Sequence, residues 1–338
     1  MKAPEFWNRI EGRDAAPMIR TLLTPVSWIT CWATRRRFRI TESLDVGVPL
    51  ICVGNATLGG TGKTPVTIYL LKSLRRLDIN AVGLTRGYKG RERGPVPVLK
   101  EHTTADVGDE PLLLARHAPV WVSAGRDEGA RAAVSHGATA IVMDDGHQNP
   151  RLEKTLSLVV VDAEIGFGNG RIFPAGPLRE PLGDALERAD AIILMKPALD
   201  YDVSETLLKQ LKGQIVIPAC LAPMEQIPSG KLYAFAGIGR PNKFFDNLVR
   251  HGADLVEGIA FDDHHAYRTR DIESLLELAS EYEARLITTE KDIVRVPEVY
   301  RKGVATWPVS IVFEDELMLR RLLHPIIEHA KAIESANG

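Results

Sequence analysis

The chain has 338 residues, of which 45% are hydrophobic and 25% are charged, and its formal net charge is -2. This composition is typical of a soluble globular protein that is long enough for two cores, and the near-neutral charge gives no global basic field that would indicate a nucleic-acid partner. The three cysteines, Cys31, Cys52 and Cys220, form no C-x-x-C pair, so neither a zinc site nor a disulfide framework is indicated, and a reducing, cytosolic-side location fits.

The N-terminal segment, residues 1–40, is predicted to be an amphipathic helix with a basic end, not a signal peptide or a membrane span. Its most apolar part, residues 15–34, is interrupted by Arg20 and Pro25, whereas a span needs roughly 20 apolar residues. Apolar residues recur there at helical spacing, and the basic run RRRFR follows at 35–39. The pattern suits a helix lying in a membrane interface. A helix packed on the protein's own core fits the sequence equally well.

From residue 48 onward, short apolar runs alternate with helical patterns. The runs predict strands over 48–53, 81–85, 120–123, 140–143, 156–161 and 191–195. They are nearly all apolar, as expected for strands that are covered on both faces. Helices are predicted between them, for example over 127–136. This alternation implies right-handed βαβ units and an α/β fold with a mainly parallel sheet and helices on both faces.

A second α/β series begins near residue 231. It predicts strands over 232–236, 255–260, 285–288 and 309–313, and helices over 241–250, 270–282 and 314–330. Prolines and short polar turns cluster near 215–230. We therefore expect a larger domain over 41–222 and a smaller C-terminal domain over 223–338.

The stretch TLGGTGKTP, residues 57–65, follows a predicted strand and precedes a predicted helix, which is the context of a phosphate-binding P-loop. Its glycines allow backbone N–H groups to approach phosphate, Lys63 can reach the β- and γ-phosphates, and the Thr64 hydroxyl can ligate Mg²⁺. The P-loop pattern has glycine where Thr57 stands, but that glycine has a conformational role and supplies no ligand. The predicted nucleotide site comprises Thr57, Leu58, Gly59, Gly60, Thr61, Gly62, Lys63 and Thr64.

A second phosphate-side element is AIVMDDGHQ, residues 140–148. Its apolar strand delivers Asp144 and Asp145 at the C-terminal end, where an aspartate can hold the Mg²⁺ that bridges the phosphates. The two acids could instead cap a turn or a helix. The sequence TEKD at 289–292 departs from the guanine signature N/T-K-x-D because Lys291 and Asp292 are adjacent. The nucleotide is therefore expected to be ATP.

Two further clusters, VGDEP at 107–111 and FDDHHAY at 261–267, place acids and paired histidines in predicted loops. From the residues alone, either cluster could be a solvated loop. However, GNATLGGTGKTP, LTRGYKGR, VGDEP, DDGHQ, FPAGPLREP, FAGIGRPNKFF, FDDHH and TTEKD occur in this order. Together they closely resemble the tetraacyldisaccharide 4′-kinase family, the lipid A 4′-kinases of Gram-negative bacteria, over essentially the full chain. Lys89 and His147 depart from residues common in that family, and neither departure removes a proposed ligand.

The resemblance implies transfer of the γ-phosphate of ATP to the 4′-hydroxyl of a tetraacylated glucosamine disaccharide 1-phosphate, with Mg²⁺ as cofactor. It implies a peripheral protein on the cytoplasmic face of the inner membrane, in contact with anionic lipid and with no obligate protein partner. The catalytic aspartate of the family matches Asp109, its partner histidine matches His264, and its metal-side acids match Asp144 and Asp145. Substrate contacts are expected from Arg86, Tyr88, Gln148 and Arg179. A lipid substrate also favours the interfacial interpretation of the N-terminal helix.

The alternative is a P-loop ATPase of the partitioning or division-site type, which acts at the membrane without a lipid substrate. Such proteins share GG-x-GKT, but they usually carry a lysine just before the glycine pair, where this chain has Leu58. A non-catalytic, nucleotide-dependent binding module at the membrane is a further alternative. ATP turnover that requires a lipid disaccharide monophosphate would discriminate the kinase from both.

Overall fold

The computed structural model describes residues 4–9 and 12–337, so residues 1–3, 10, 11 and 338 of the predicted end segments lie outside the described residues. The described helices are α1 (Pro17–Ile40), α2 (Lys63–Arg75), α3 (Thr104–Val107), α4 (Asp109–Ala115), α5 (Arg126–Ser135), α6 (Leu182–Glu187), α7 (Glu205–Gln210), α8 (Pro241–Arg250), α9 (Thr269–Glu281), α10 (Glu290–Ile293) and α11 (Glu316–Asn337). The described strands are β1 (Leu50–Gly54), β2 (Ala81–Thr85), β3 (Val96–Pro97), β4 (Val120–Val122), β5 (Ala140–Asp144), β6 (Leu156–Asp162), β7 (Ala191–Lys196), β8 (Val216–Pro223), β9 (Lys231–Ala236), β10 (Asp254–Ala260), β11 (Arg285–Thr288), β12 (Ala305–Thr306) and β13 (Val309–Phe313).

In the part of the chain that the structure describes, a nine-stranded sheet has the order β13-β8-β7-β6-β1-β5-β2-β4-β3. Its pairs are parallel except at the two edges, where β13 runs antiparallel to β8 and β3 runs antiparallel to β4. The central strands are buried along their whole length, because helices cover both faces. On one face α2 and α11 pack through Leu70 and Leu323, and on the other face α5 packs through Ala130. The predicted fold class is confirmed.

A smaller sheet, entirely parallel, has the order β10-β9-β11-β12. It too is covered on both faces, by α9 against Phe235 and by α8 against Leu232. The chain crosses to this unit after β8 and returns to the large sheet at β13. The two crossings lie side by side, since the Met224 N–H donates to the Pro308 carbonyl.

The sheet pairings differ from the prediction for the C-terminal part of the chain. Strand β13 was predicted at its observed bounds, but it pairs with β8 of the large sheet, and α11 packs on the core of that sheet. Strand β8 was not predicted, because Pro218 and Pro223 resemble linker residues. Pro218 lies outside the residues that pair with β13, and Pro223 is the last residue of the strand. The division of the chain into domains at 222 remains a prediction, and β13 and α11 pack with the first unit.

Helix α1 lies on the large unit through polar contacts. The Ser27 hydroxyl donates to the Ile172 carbonyl at 2.7 Å, and the Arg35 guanidinium binds both carboxylate oxygens of Asp184. Large apolar side chains on α1 are at least 65% exposed, namely Met18, Leu22, Trp28, Ile29 and Trp32. The apolar stripe of α1 is therefore turned away from the protein. None of the described helices combines the length and the apolar character needed to cross a bilayer.

Candidate active site

The predicted P-loop connects β1 to α2. Gly59 and Gly62 have φ of 115° and 92°, a conformation that side chains other than glycine rarely adopt, and Gly62 is the residue just before α2. Thr57 is not among the described residues with positive φ; it makes an isolated bridge with Leu178. This geometry explains why the first glycine of the P-loop pattern is dispensable in this chain.

Two buried polar atoms in and beside the P-loop have no hydrogen-bond partner among the described residues, Asn55 Oδ1 and Thr61 Oγ1. The amide nitrogen of Asn55 donates to the Gly59 carbonyl, and this hydrogen bond stabilises the loop. Buried polar groups are nearly always satisfied in folded proteins. The unpaired atoms therefore mark the loop as a place where a ligand or ordered water completes the hydrogen bonding.

The two acids predicted for the metal side follow β5. Asp144 is buried and accepts a hydrogen bond from the Thr67 hydroxyl at 3.3 Å. Burial, with Glu110 and Asp145 nearby, raises the pKa of Asp144. Burial would raise the pKa of Asp145 too, but Lys63 and Arg179 lower it. Lys63 Nζ lies 3.6 Å from Asp145 Oδ1, so the P-loop lysine and an acid of the DDG motif share one pocket.

Thr64, Asp144 and Asp145 fit a magnesium ion, because Mg²⁺ on nucleotide phosphates is held by one or two carboxylates, hydroxyls and waters. Among the described residues, no group of three or more His, Cys, Asp or Glu side chains is placed to hold a metal by itself.

Arg179 and Gln148, which were predicted to contact substrate, are joined to this network. Arg179 Nη1 donates to both carboxylate oxygens of Asp145 at 3.0 and 3.1 Å, and its Nε donates to the Thr57 carbonyl. The Gln148 amide donates to the Asn55 carbonyl and to Glu180, while its oxygen accepts from Arg179. Both side chains thus brace the P-loop and Asp145, and their contact with substrate remains a prediction.

The structure brings Asp109 and His264 together, although they are 155 residues apart in the chain. Asp109 is the first residue of α4, and His264 follows β10 in the smaller unit. His264 Nδ1–H donates to Asp109 Oδ2 at 2.7 Å, and both side chains are nearly buried. Gly108 precedes Asp109 with φ of 90°, and a Cβ there would lie 2.5 Å from the Tyr88 carbonyl. The glycine of VGDEP therefore allows the close approach that sets the position of Asp109.

Cations of the smaller unit surround this pair, and their roles were missed from the sequence. Lys291 Nζ lies 3.1 Å from Glu110 Oε1, and Arg295 Nε lies 3.5 Å from Asp109 Oδ2. Burial alone would raise the pKa of Asp109, but the hydrogen bond from His264 and the charges of Lys291 and Arg295 lower it to about 2. The TTEKD motif contains Lys291 and could have indicated this cation, whereas Arg295 lies three residues beyond the motif.

Arg86 and Tyr88 are exposed side chains, and Tyr88 lies against His264. The ring of Tyr88 meets the ring of His264 edge-on, with centroids 5.8 Å apart. One continuous cleft of about 2680 Å³ includes Arg86, Tyr88, the P-loop and His264, and it extends to Ile19 and Leu23 of α1. The predicted nucleotide and substrate residues, with Asp145 and His264, therefore line a single cleft between the two units and α1. Asp109 and Asp144 are buried behind this lining.

A family model described as LpxK, tetraacyldisaccharide-1-P 4′-kinase, matches residues 19–327. The chain belongs to this family. Among curated members of the tetraacyldisaccharide 4′-kinase family, the protein of Hyphomonas neptunium is 45% identical over 335 residues, covering 98% of this chain and 99% of its own. The proteins of Maricaulis maris and Caulobacter vibrioides are each 47% identical, over 332 and 329 residues, and cover 97% and 96% of this chain and 97% and 98% of their own.

Among solved structures, that of LpxK from Aquifex aeolicus in complex with ATP superposes with a TM-score of 0.72 at 25% identity, covering 91% of this chain and 99% of that chain. The predicted family, the enzyme class of kinase and the α/β architecture of the tetraacyldisaccharide 4′-kinases are thereby confirmed. The predicted roles of individual site residues remain predictions, which the geometry above makes specific.

Proposed function

We propose that this chain transfers the γ-phosphate of ATP, with Mg²⁺, to the 4′-hydroxyl of a tetraacylated glucosamine disaccharide 1-phosphate at the cytoplasmic face of the inner membrane. The single observation that carries the proposal is one cleft that is lined by the P-loop, by Asp145 and by His264, whose ring donates a hydrogen bond to the buried Asp109. The names of its relatives and the ATP bound in the Aquifex aeolicus structure support the same donor and acceptor.

On the donor side, the chain supplies fixed positive charge. The amides of Gly59–Gly62 and the start of α2 face the phosphates, and Lys63 leaves its ion pair with Asp145 to bind the β- and γ-phosphates. Thr64, Asp144 and Asp145 would hold the Mg²⁺, which neutralises charge on the phosphates when it is bound. Arg179 keeps Asp145 in place during this exchange, since it contacts both carboxylate oxygens.

On the acceptor side, Asp109 accepts a hydrogen bond from the 4′-hydroxyl. This contact orients the hydroxyl oxygen toward the γ-phosphorus. The new bond joins that oxygen to phosphorus, and the bond from phosphorus to the β–γ bridging oxygen breaks, which leaves ADP. Phosphoryl transfer passes through a loose transition state, so the hydroxyl proton is lost late. A carboxylate of low pKa therefore serves first to orient the hydroxyl, and the Asp109–His264 pair then accepts the proton.

Helix α1 supplies the route to a lipid. Its exposed tryptophans and leucine suit the boundary between headgroups and acyl chains, and Arg36 lies on the solvent side next to Trp32. Residues of α1 and of the P-loop line the same cleft. A disaccharide can thus reach the pair Asp109–His264 while its acyl chains stay in the bilayer.

The test is a phosphate-transfer assay with a defined tetraacyl disaccharide 1-phosphate, in which the position of the new phosphate is mapped. We expect ATP turnover that depends on the acceptor and a product phosphorylated at the 4′ position. ATP turnover of equal rate without the acceptor would indicate an ATPase and would contradict the proposal.

A further inference from the structure

Four charged side chains connect the two units beside the P-loop. Arg240 lies just before α8 and donates to Asp162 Oδ2 at 2.8 Å and to Glu164 Oε2 at 2.7 Å. Lys243, in the first turn of α8, lies 3.0 Å from Asp162 Oδ2 and 2.7 Å from Glu164 Oε2. Asp162 ends β6 of the large sheet, so every one of these contacts crosses from one unit to the other. We call these four residues the clamp.

The clamp lies next to the phosphate site. Strand β6 pairs with β1, which carries the P-loop, and Asp162 is aligned with Met195 on β7. The Met195 side chain lies 3.3 Å from the place where a Cβ of Gly62 would be. From the smaller unit, a Cβ placed on Gly239, the neighbour of Arg240, would lie 3.9 Å from the backbone nitrogen of Gly60. The cations of the clamp therefore stand at the edge of the P-loop.

The position of the clamp relative to the P-loop indicates which part of the nucleotide it would contact. The acids Asp144 and Asp145 follow β5, and β5 and β6 flank β1 on opposite sides. A triphosphate whose γ-phosphate points to these acids must place its α-phosphate and nucleoside on the side of β6. Arg240 and Lys243 lie on that side.

Resting on the nucleotide site proposed above, we propose that Arg240 and Lys243 bind the α- and β-phosphates of the nucleotide by exchanging their carboxylate partners for phosphate oxygens. The smaller unit then contributes cations to the nucleotide as well as His264 to the acceptor. Asp162 and Glu164 hold the two cations in place before the nucleotide arrives and compete with it afterwards.

The electrostatics of the clamp suit such an exchange. Arg240 and Lys243 are about one-third exposed, at 35% and 37% of their side chains. Neither therefore forms a fully desolvated ion pair, which would have a high free-energy cost of breaking. Partial burial would raise the pKa of Glu164, but Lys243 and Arg240 lower it, so Glu164 stays ionised and holds both cations at neutral pH. Arginine and lysine bind phosphate with charge-assisted hydrogen bonds of the same kind.

The experiment is titration calorimetry of MgADP into the full-length protein, because ADP carries the α- and β-phosphates and no lipid is needed. We expect Arg240→Gln and Lys243→Gln each to weaken MgADP binding by roughly tenfold, the worth of one charge-assisted hydrogen bond to phosphate. We expect Glu164→Gln to tighten binding by roughly threefold, because it removes a competitor for the same cations. Lys209→Gln, on an exposed pair with Glu205 in α7, is the matched control for the loss of a positive charge.

The opposite signs of these effects separate phosphate binding from a purely structural clamp. If the clamp only held the units together, the arginine and glutamate variants would both weaken binding, and that result, or no change in either, would overturn the inference alone. Absence of MgADP binding by the wild-type chain would overturn the nucleotide site and this inference with it. Thermal unfolding of each variant checks that the fold is retained.

Discussion

The pairing of Asp109 with His264 predicts how substitutions at the two positions combine. In Asp109→Asn the side chain keeps its shape, loses its charge and exchanges one acceptor oxygen for an NH₂ group. The remaining oxygen can accept from His264 Nδ1–H, and the Glu110 N–H then loses its acceptor. Lys291 keeps its ion pair with Glu110 at 3.1 Å, and Arg295 keeps its ion pair with Asp292 at 2.9 Å. The cations beside the site therefore remain partnered, and we expect the variant to fold and to bind MgADP as the wild type does.

The expected loss of turnover follows from the role of a positioned base. Asparagine cannot accept the hydroxyl proton, so we expect turnover to fall by roughly 10²–10⁴, equivalent to about 3–5 kcal/mol of barrier. His264→Ala removes the group that donates to Asp109 Oδ2 at 2.7 Å. Because the two residues act as a unit, the double variant should be hardly slower than the poorer single variant.

The assay measures transfer of labelled γ-phosphate to the acceptor lipid at saturating ATP, with MgADP affinity measured in parallel. The matched control is His265→Ala, because His265 pairs with Asp271 at 3.2 Å and makes no ion pair with Asp109. We expect this control to retain most of the activity. Losses that multiply in the double variant would refute the coupling, and normal turnover of His264→Ala would remove the histidine from the mechanism.

The remaining predictions concern the P-loop, the pH dependence of stability and α1. Lys63→Ala should abolish phosphate transfer and leave the fold intact; transfer near the wild-type rate would contradict the P-loop assignment. The stability advantage of the wild type over Asp109→Asn should shrink by roughly 1 kcal/mol between pH 5 and pH 3 in urea titrations, because folding lowers the pKa of Asp109 to about 2 and the unfolded carboxylate is protonated first as the pH falls. Trp28→Ser with Trp32→Ser should weaken sedimentation with anionic vesicles, whereas Leu208→Ser, an exposed apolar residue on α7, should not. Arg36→Gln should weaken vesicle binding mainly at low salt, and a full-length protein that never sediments with such vesicles would refute the interfacial role.

Much of the large sheet could be predicted because its strands are buried on both faces and read as continuous apolar runs. The bounds of β2, and those of β11 in the smaller sheet, follow from such runs alone. The return of β13 to the large sheet could not be predicted in this way, since an apolar run reports burial and not which strand it pairs with. Strand β8 was missed because its two prolines outweighed its apolar residues.

The site, too, has a part that could be predicted from the sequence and a part that could not. The P-loop follows from local chemistry, because glycines, a lysine and a hydroxyl at fixed spacing can act together within one turn. Asp109 and His264 lie 155 residues apart in the chain, and only the resemblance to a family paired them. The contacts of Arg240 and Lys243 with Asp162 and Glu164 carry no periodic signal, so no pattern in the chain joins these residues. Charged residues at the ends of helices and strands meet their partners only when the fold brings those ends together.

The polar attachment of α1 explains how an enzyme with a lipid substrate can leave the apolar stripe of this helix exposed and still hold the helix in place against the active site. If α1 packed through its apolar stripe, no large apolar surface would remain for the bilayer. The helix is held instead by polar contacts, and one of them, from the Arg37 guanidinium to the Gln148 carbonyl at 2.8 Å, reaches the residue that accepts a hydrogen bond from Arg179. Arg179 in turn holds Asp145, which pairs with Lys63. Helix α1 and the P-loop lysine are thus joined through Gln148, Arg179 and Asp145. In the proposed interfacial position of α1, we expect its depth and tilt in the lipid surface to affect where the γ-phosphate meets the sugar hydroxyl.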